Sequence, residues 1–162
     1  MNILPIVALL LLFSACSSID CSTTNLVRLV MQLKTSAGKD TTLIDTLSIT
    51  ASRTTTGGND TTLINRQTKT ASVQLPIGYI TDVDTFSFLA YDTAQNEKRA
   101  TIRIVKTNTP YFEGPECAAR YHHTITSAEL VDGDLITDVT VTNPTINNVP
   151  TTNILLTVAP AQ

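Results

Sequence analysis

From Leu26 onward the chain repeats one device: a short run of alternating apolar and polar residues, closed by a cluster of turn formers. That period of two is what most restricts the fold, because only a strand sends successive side chains to opposite faces. The first run is Leu26 to Leu33, with Val27, Leu29, Met31 and Leu33 on one face and Arg28 and Gln32 on the other. Further runs are predicted over Thr42 to Ser52, Thr61 to Asn65, Ala71 to Ile77, Thr85 to Tyr91, Ala100 to Ile104, Ala118 to Ala128, Leu135 to Asn143 and Thr152 to Val158. No window sustains a 3.6-residue period. The 29 threonines, with plentiful Ile and Val, support the same conclusion, since β-branched side chains suit a pleated, half-buried surface.

About nine short strands with regular turn signals predict an all-β fold. We expect a β-sandwich of the Ig-like or Greek-key type with about 8–9 antiparallel strands, a closed barrel being the alternative. The turns are specific. Gly38 supplies φ > 0 in Thr35 to Asp40, and Gly57-Gly58-Asn59-Asp60 is a strong turn signal. Asp92 to Glu97 has hairpin length between two strands, and Asp132-Gly133 fits a two-residue hairpin turn. Pro76 lacks an N–H, which places its strand at a sheet edge or a strand end. Gly38 to Asp45 echoes Gly58 to Asn65. Two copies are too few for a solenoid, so the echo reads as two equivalent entries from turn to strand.

Ahead of the first strand lies a different kind of sequence. Ile3 to Ala15 is almost unbroken apolar residues followed by Cys16. The run is shorter than the roughly 20 residues that a membrane-spanning helix needs, and it has the length of a secretory h-region. Phe13-Ser14-Ala15-Cys16 resembles the lipobox of bacterial lipoproteins, with Phe13 where Leu is usual and no Lys or Arg before the run. The expected organisation is a lipoprotein signal peptide over 1–15, a lipidated tether over 16–25 and a single β-sandwich domain over 26–162. Cys16 would carry acyl chains, palmitate among them, each buried methylene adding about 0.8 kcal/mol of membrane affinity.

Two cysteines then remain. An even count in an exported chain favours pairing, so Cys21–Cys117 is the expected disulfide and two free thiols the alternative. Two ligands so far apart form no zinc pattern. A net charge of −3 without a basic cluster argues against nucleic acid as a partner.

The densest patch of unusual residues is Pro110 to Tyr121. It reads as a rigid crossover between strands, with Tyr111 and Phe112 as a core plug and Glu113 and Glu116 as a rim that meets a partner. His122 and His123 are adjacent and point to opposite faces of a strand, one expected buried and one exposed, so they cannot share a metal there. No Gly-x-Ser-x-Gly occurs. Asp132-Gly133-Asp134 lacks the spacing of a calcium loop. The eight aromatics are spread along a chain without Trp, which disfavours a sugar platform. No catalytic, cofactor or metal residues are assigned.

Pro110-Tyr111-Phe112-x-x-Pro115-Glu116-Cys117-x-x-Arg120-Tyr121, the closing Val139 to Asn147 and the lipobox together resemble a family of small uncharacterised lipoproteins of the Bacteroidota, a domain of unknown function. The resemblance falls on Cys21, Tyr111, Phe112, Pro115, Cys117 and Tyr121, while Ala118 replaces a usual Gly. It implies an envelope location and a β fold, and no activity. Exported proteins of that phylum carry an O-glycosylation sequon, Asp before the modified Thr, which makes Thr41, Thr46, Thr61 and Thr93 candidates. The single acid after Cys16, Asp20, falls short of the acidic run that accompanies surface display, so the periplasmic face of the outer membrane is expected. The function expected is a lipid-anchored protein-binding or structural module, with the membrane and another envelope protein as partners. A carbohydrate- or small-ligand-binding lipoprotein is the first rival, a hydrolase the second.

Overall fold

The computed structural model describes Cys21, residues 27–52 and residues 60–160. The expected signal peptide over 1–15, Cys16, the rest of the expected tether and most of the Gly57-Gly58 turn lie outside the described residues. Among the described residues ten strands form two sheets: β1 Arg28–Lys34, β2 Thr46–Ser52, β3 Thr61–Gln67, β4 Ser72–Pro76, β5 Val83–Tyr91, β6 Glu97–Tyr111, β7 Arg120–Gly133, β8 Ile136–Val141, β9 Thr145–Ile146 and β10 Ile154–Val158. The four-stranded sheet has the order β4-β1-β10-β8, and the six-stranded sheet β3-β2-β5-β6-β7-β9. The fold is all-β, a two-sheet sandwich, as the alternation predicts. One pair departs from the antiparallel expectation: β1 runs parallel to β10, with Met31 opposite Ile154 and Leu33 opposite Leu156.

The core is the sum of the inward phases. Leu29, Met31 and Leu33 of β1, Val73 and Leu75 of β4, and Ile154 and Leu156 of β10 face Leu47 and Ile49 of β2, Phe86, Phe88 and Ala90 of β5, and Ala100, Ile102 and Ile104 of β6. Each fully buried large apolar side chain contributes roughly 1.5–3 kcal/mol. The predicted β5–β6 hairpin is present with nine paired positions, from Tyr91–Glu97 to Val83–Val105. Pro76 ends an edge strand, where its missing N–H costs nothing. The edge strand β3 carries two register shifts against β2 and Arg66 at φ 53°, irregularities that blunt an edge against further pairing.

Three expectations give way. Pro110 to Tyr121 is no crossover: β6 continues through Pro110 and Tyr111, paired with Tyr121 and Arg120, so the stretch is the tip of the β6–β7 hairpin. Fifteen residues make β6 about 50 Å long. β5 leaves its flank at Val105, and Pro110 falls where β6 has lost that neighbour, a position that tolerates proline. Asp132-Gly133 is no hairpin turn either. β7 absorbs register shifts near Thr126 and Val131, runs on to Gly133 and passes into the other sheet, where β8 pairs with β10. Gly133 sits at φ 121° with its Cα so near β6 that a Cβ would lie 2.2 Å from the Arg99 carbonyl oxygen. That close approach, rather than a turn, is why glycine stands there. Lastly, the echoed segments differ: Thr61–Asn65 enters β3, whereas residues 41–45 form only an isolated bridge, Leu43 to Thr70.

The two ends of the sandwich are assembled from different material. One end, here called the disulfide end, gathers Cys21, the start of β1, residues 77–82, the β6–β7 tip and residues 142–153. The other, the turn end, gathers residues 35–45, 92–96 and 134–135, and the end of β10.

Candidate functional site

The disulfide end is where the unusual chemistry converges. Cys21 and Cys117 are joined by a disulfide across 96 residues of chain, with Cα atoms 5.7 Å apart. Cys117 is buried and Cys21 exposed. A turn from Gly114 to Cys117 closes the hairpin tip, the Cys117 N–H donating to the Gly114 carbonyl. The cross-link therefore fixes the N-terminal segment to the far tip of the longest hairpin.

Behind that tip the inward face of β6 stops being apolar. Lys106 follows Ala100, Ile102 and Ile104 in the same phase, and its side chain is wholly buried. Its Nζ donates to the Thr81 carbonyl at 2.6 Å and lies 2.9 Å from Asp84 Oδ2. Asp84 also accepts the Gly78 N–H at 3.3 Å. Although Oδ2 makes no well-angled hydrogen bond, the ammonium beside it supplies its counter-charge. Asn108, two residues on, donates through Nδ2 to the Thr81 carbonyl at 3.1 Å and to Asp82 Oδ1 at 2.9 Å. Both donors being so used, its Oδ1 accepts, and the His123 Nδ1 at 2.7 Å must carry a proton and donate. Burial, with the neighbouring Lys106 and His122 charges, pushes the His123 imidazole down to about 4, so it is neutral at neutral pH. The group as a whole clamps residues 77–82 onto the protruding hairpin. Its polar atoms are spent on one another, which suits holding rather than proton transfer.

Aromatic rings complete this end. Tyr79 stacks on Tyr121 with centroids 4.6 Å apart, and Tyr111 stacks on His122 at 4.0 Å on the opposite face of the hairpin. Tyr111 is half-buried but lies with His122 on the face away from the core, and Phe112 is mostly exposed because it stands past the last paired residue of β6, so the core-plug expectation fails for both. His123 is the buried histidine. His122 points outward yet is half-buried under Tyr111, not exposed as expected. Glu113 lies 3.9 Å from Arg120 across the tip, and Glu116 is exposed beside it. The sequence spreads its aromatics thinly, and the fold collects Tyr79, Tyr111, Phe112 and Tyr121 at one end. Asp84, Lys106 and Asn108 carried no signal at all: each falls outside the predicted alternating runs, Asp84 just before Thr85 and the other two after Ile104. Among the described residues no three His, Cys, Asp or Glu side chains are placed to hold a metal ion.

Grooves between the described residues flank the sandwich. One, of about 440 Å³, runs along Leu63, Pro76, Ile77, Tyr79 and Ile80 with Asp84 at its base. Another, of about 340 Å³, lies at the turn end between Leu43, Ile44, Leu135, Val158 and Pro160. Of the candidate threonines, Thr61 and Thr93 are exposed while Thr41 and Thr46 are half-buried. No helix among the described residues is long and apolar enough to cross a membrane.

No curated protein and no solved structure matches the chain. A family model does match, from the first residue of β2 to the last of β10, leaving out only β1 among the ten strands. By that match over residues 46–158, the chain belongs to a family of unknown function (DUF6452).

Proposed function

We propose that the protein is a lipid-anchored, non-enzymatic module of the bacterial cell envelope that binds another envelope protein. In this reading Cys16 is the acylated first residue of the mature chain. The module sits on the periplasmic face of the outer membrane, and the family it resembles is one of Bacteroidota lipoproteins. The observation that carries the reading is the Cys21–Cys117 disulfide. Such bonds persist in exported proteins, and this one ties the body to a point five residues beyond Cys16. An anchor so short presents the opposite end of the sandwich to the surroundings. There the groove beside the exposed Ile44 offers apolar surface to a partner.

A photo-crosslinking residue at Ile44, expressed in intact cells, tests this. One discrete adduct with an envelope protein is expected, lost when Cys16→Ser removes the anchor. Absence of any adduct at Ile44 above that of a reporter at the outward-facing Thr126 sinks the partner reading.

A further inference from the structure

We propose that the disulfide end is a membrane-contact surface: Tyr79, Ile80, Phe112 and Val149 enter the lipid interface and hold the sandwich upright on the bilayer. The inference rests on the lipid-anchor reading above and adds to it an orientation and a second point of attachment.

Six large hydrophobic side chains are exposed among the described residues. Four of them, Ile80 at 82%, Phe112 at 64%, Val149 at 58% and Tyr79 at 56%, stand at the disulfide end. They come from three separate connections: residues 77–82, the β6–β7 tip and the segment between β9 and β10. Ile44 and Val131 are the two elsewhere. Chains that leave apolar side chains exposed on several converging loops present them to something. The chain outside the described residues says what. Cys16 to Cys21 is five residues, which reach at most about 18 Å when fully extended. With acyl chains in the bilayer at Cys16, the disulfide cannot lie further than that from the interface, and these loops share its end of the molecule.

The chemistry of the end fits lipid better than protein or an anionic surface. Tyrosine is favoured at the membrane boundary because one end of the ring is apolar and the other polar. Glu113, Glu116 and Asp82 share this end with Arg28 and Arg120, so it presents no basic cluster to draw it to anionic headgroups. The contact is a shallow apolar one, of the kind that supplements a lipid anchor without replacing it. The clamp beneath it acquires a purpose: Lys106, Asp84 and Asn108 hold residues 77–82 rigid, so Tyr79 and Ile80 are presented without a further ordering cost on contact.

The chain has no Trp, so single Trp substitutions report without background. The full-length protein, processed and purified from membranes, is made as Ile80→Trp, Phe112→Trp and, at the turn end, Val131→Trp. Each is reconstituted in phosphatidylcholine vesicles with or without brominated acyl chains. Ile80→Trp and Phe112→Trp should be quenched about twofold or more by the brominated lipid, and Val131→Trp should not, as a shallow insertion of one end requires. If the protein floats with the vesicles, carries acyl mass on Cys16, and all three reporters are equally bright in both vesicles, the contact surface is wrong and the anchor stands. If the intact mass shows no acyl group on Cys16, the anchor fails and the inference falls with it. Reporters shielded from aqueous iodide in cell membranes but untouched by brominated lipid would assign this end to a protein and overturn the inference.

Discussion

The two ends of the sandwich are held by polar contacts of different reach. At the turn end most partners are close in sequence. Asp40 binds Lys34 and Gln32, six and eight residues back. Asp92 accepts from the Asn96 backbone and side chain four residues on, and Glu97 meets Tyr91 and Arg99. At the disulfide end short-range pairs such as Gly78 with Asp84 are joined by distant ones: Lys106 and Thr81, 25 residues; Cys21 and Cys117, 96; Val30 and Asn153, 123. Asn153 is the extreme case. Fully buried, it accepts from the Val30 N–H and donates to the Asn143 and Thr145 carbonyls, tying β1 to the segment around β9. Local contacts form from any chain with the right turn. Distant ones exist only when the whole fold is present, so their loss is felt as a loss of fold. The disulfide end should therefore be the expensive end to disturb.

Four measurements test that asymmetry. The largest effect is expected from Cys117→Ser, or from reduction. Releasing a loop closed across 96 residues should cost about 4–5 kcal/mol on the chain-entropy account, read as a fall in the urea midpoint. Equal midpoints with and without reductant would show that the cross-link adds nothing to the fold. Next is Lys106→Ala, expected to cost about 3 kcal/mol, because it strands a carboxylate in a mostly buried site. The low end of the range applies, since Asp84 keeps 16% of its side chain exposed. A loss below 1 kcal/mol would mean that water enters the clamp freely.

Third is pH. The His123 imidazole, held near 4 by its burial first and by Lys106 second, takes up a proton more readily when the chain unfolds. Its contribution is complete above the ordinary histidine value of 6.5 and is lost as the pH falls from there towards 4. Roughly 2–3 kcal/mol should disappear across that window, and His123→Gln should flatten the slope. An unchanged slope in that variant would move the pH dependence to other groups. The smallest effect belongs to the turn end. Lys34→Met removes the partner of the exposed Asp40 carboxylate at 2.5 Å and should change stability by less than about 1 kcal/mol. A larger loss would erase the contrast between the two ends.

The same contrast divides what the sequence makes legible from what it does not. Period-two runs locate nearly every strand, and the turn at Gly38 and the loop from Asp92 to Asn96 fall where local turn chemistry puts them, because these features are written within a few residues. Cys21 and Cys117 pair as expected. The polar clamp is invisible by the same logic. Lys106 breaks an apolar phase and so reads as the end of a strand, yet β6 goes on to Tyr111 because backbone pairing with β7 does not depend on which side chains face inward. Pro110 adds to the error: proline stops a strand with neighbours on both flanks, and nothing local reveals that β5 has already left. The Asp132-Gly133 misreading has the same root. A glycine needed for close approach to another strand looks identical, in sequence, to one needed for a turn.

The parallel pairing of β1 with β10 has a consequence for the order of events in a chain that emerges N-terminus first. β2, β5, β6 and β7 each pair with a strand close behind in the chain, so the larger sheet can be laid down as synthesis proceeds. Among the described residues β8 has no strand partner other than β10, and β1 meets its central neighbour only when residues 154–157 arrive. The smaller sheet is thus a lock closed only when β10 is made, at the cost of the slow search that distant pairing demands. Until then one face of the core stands open.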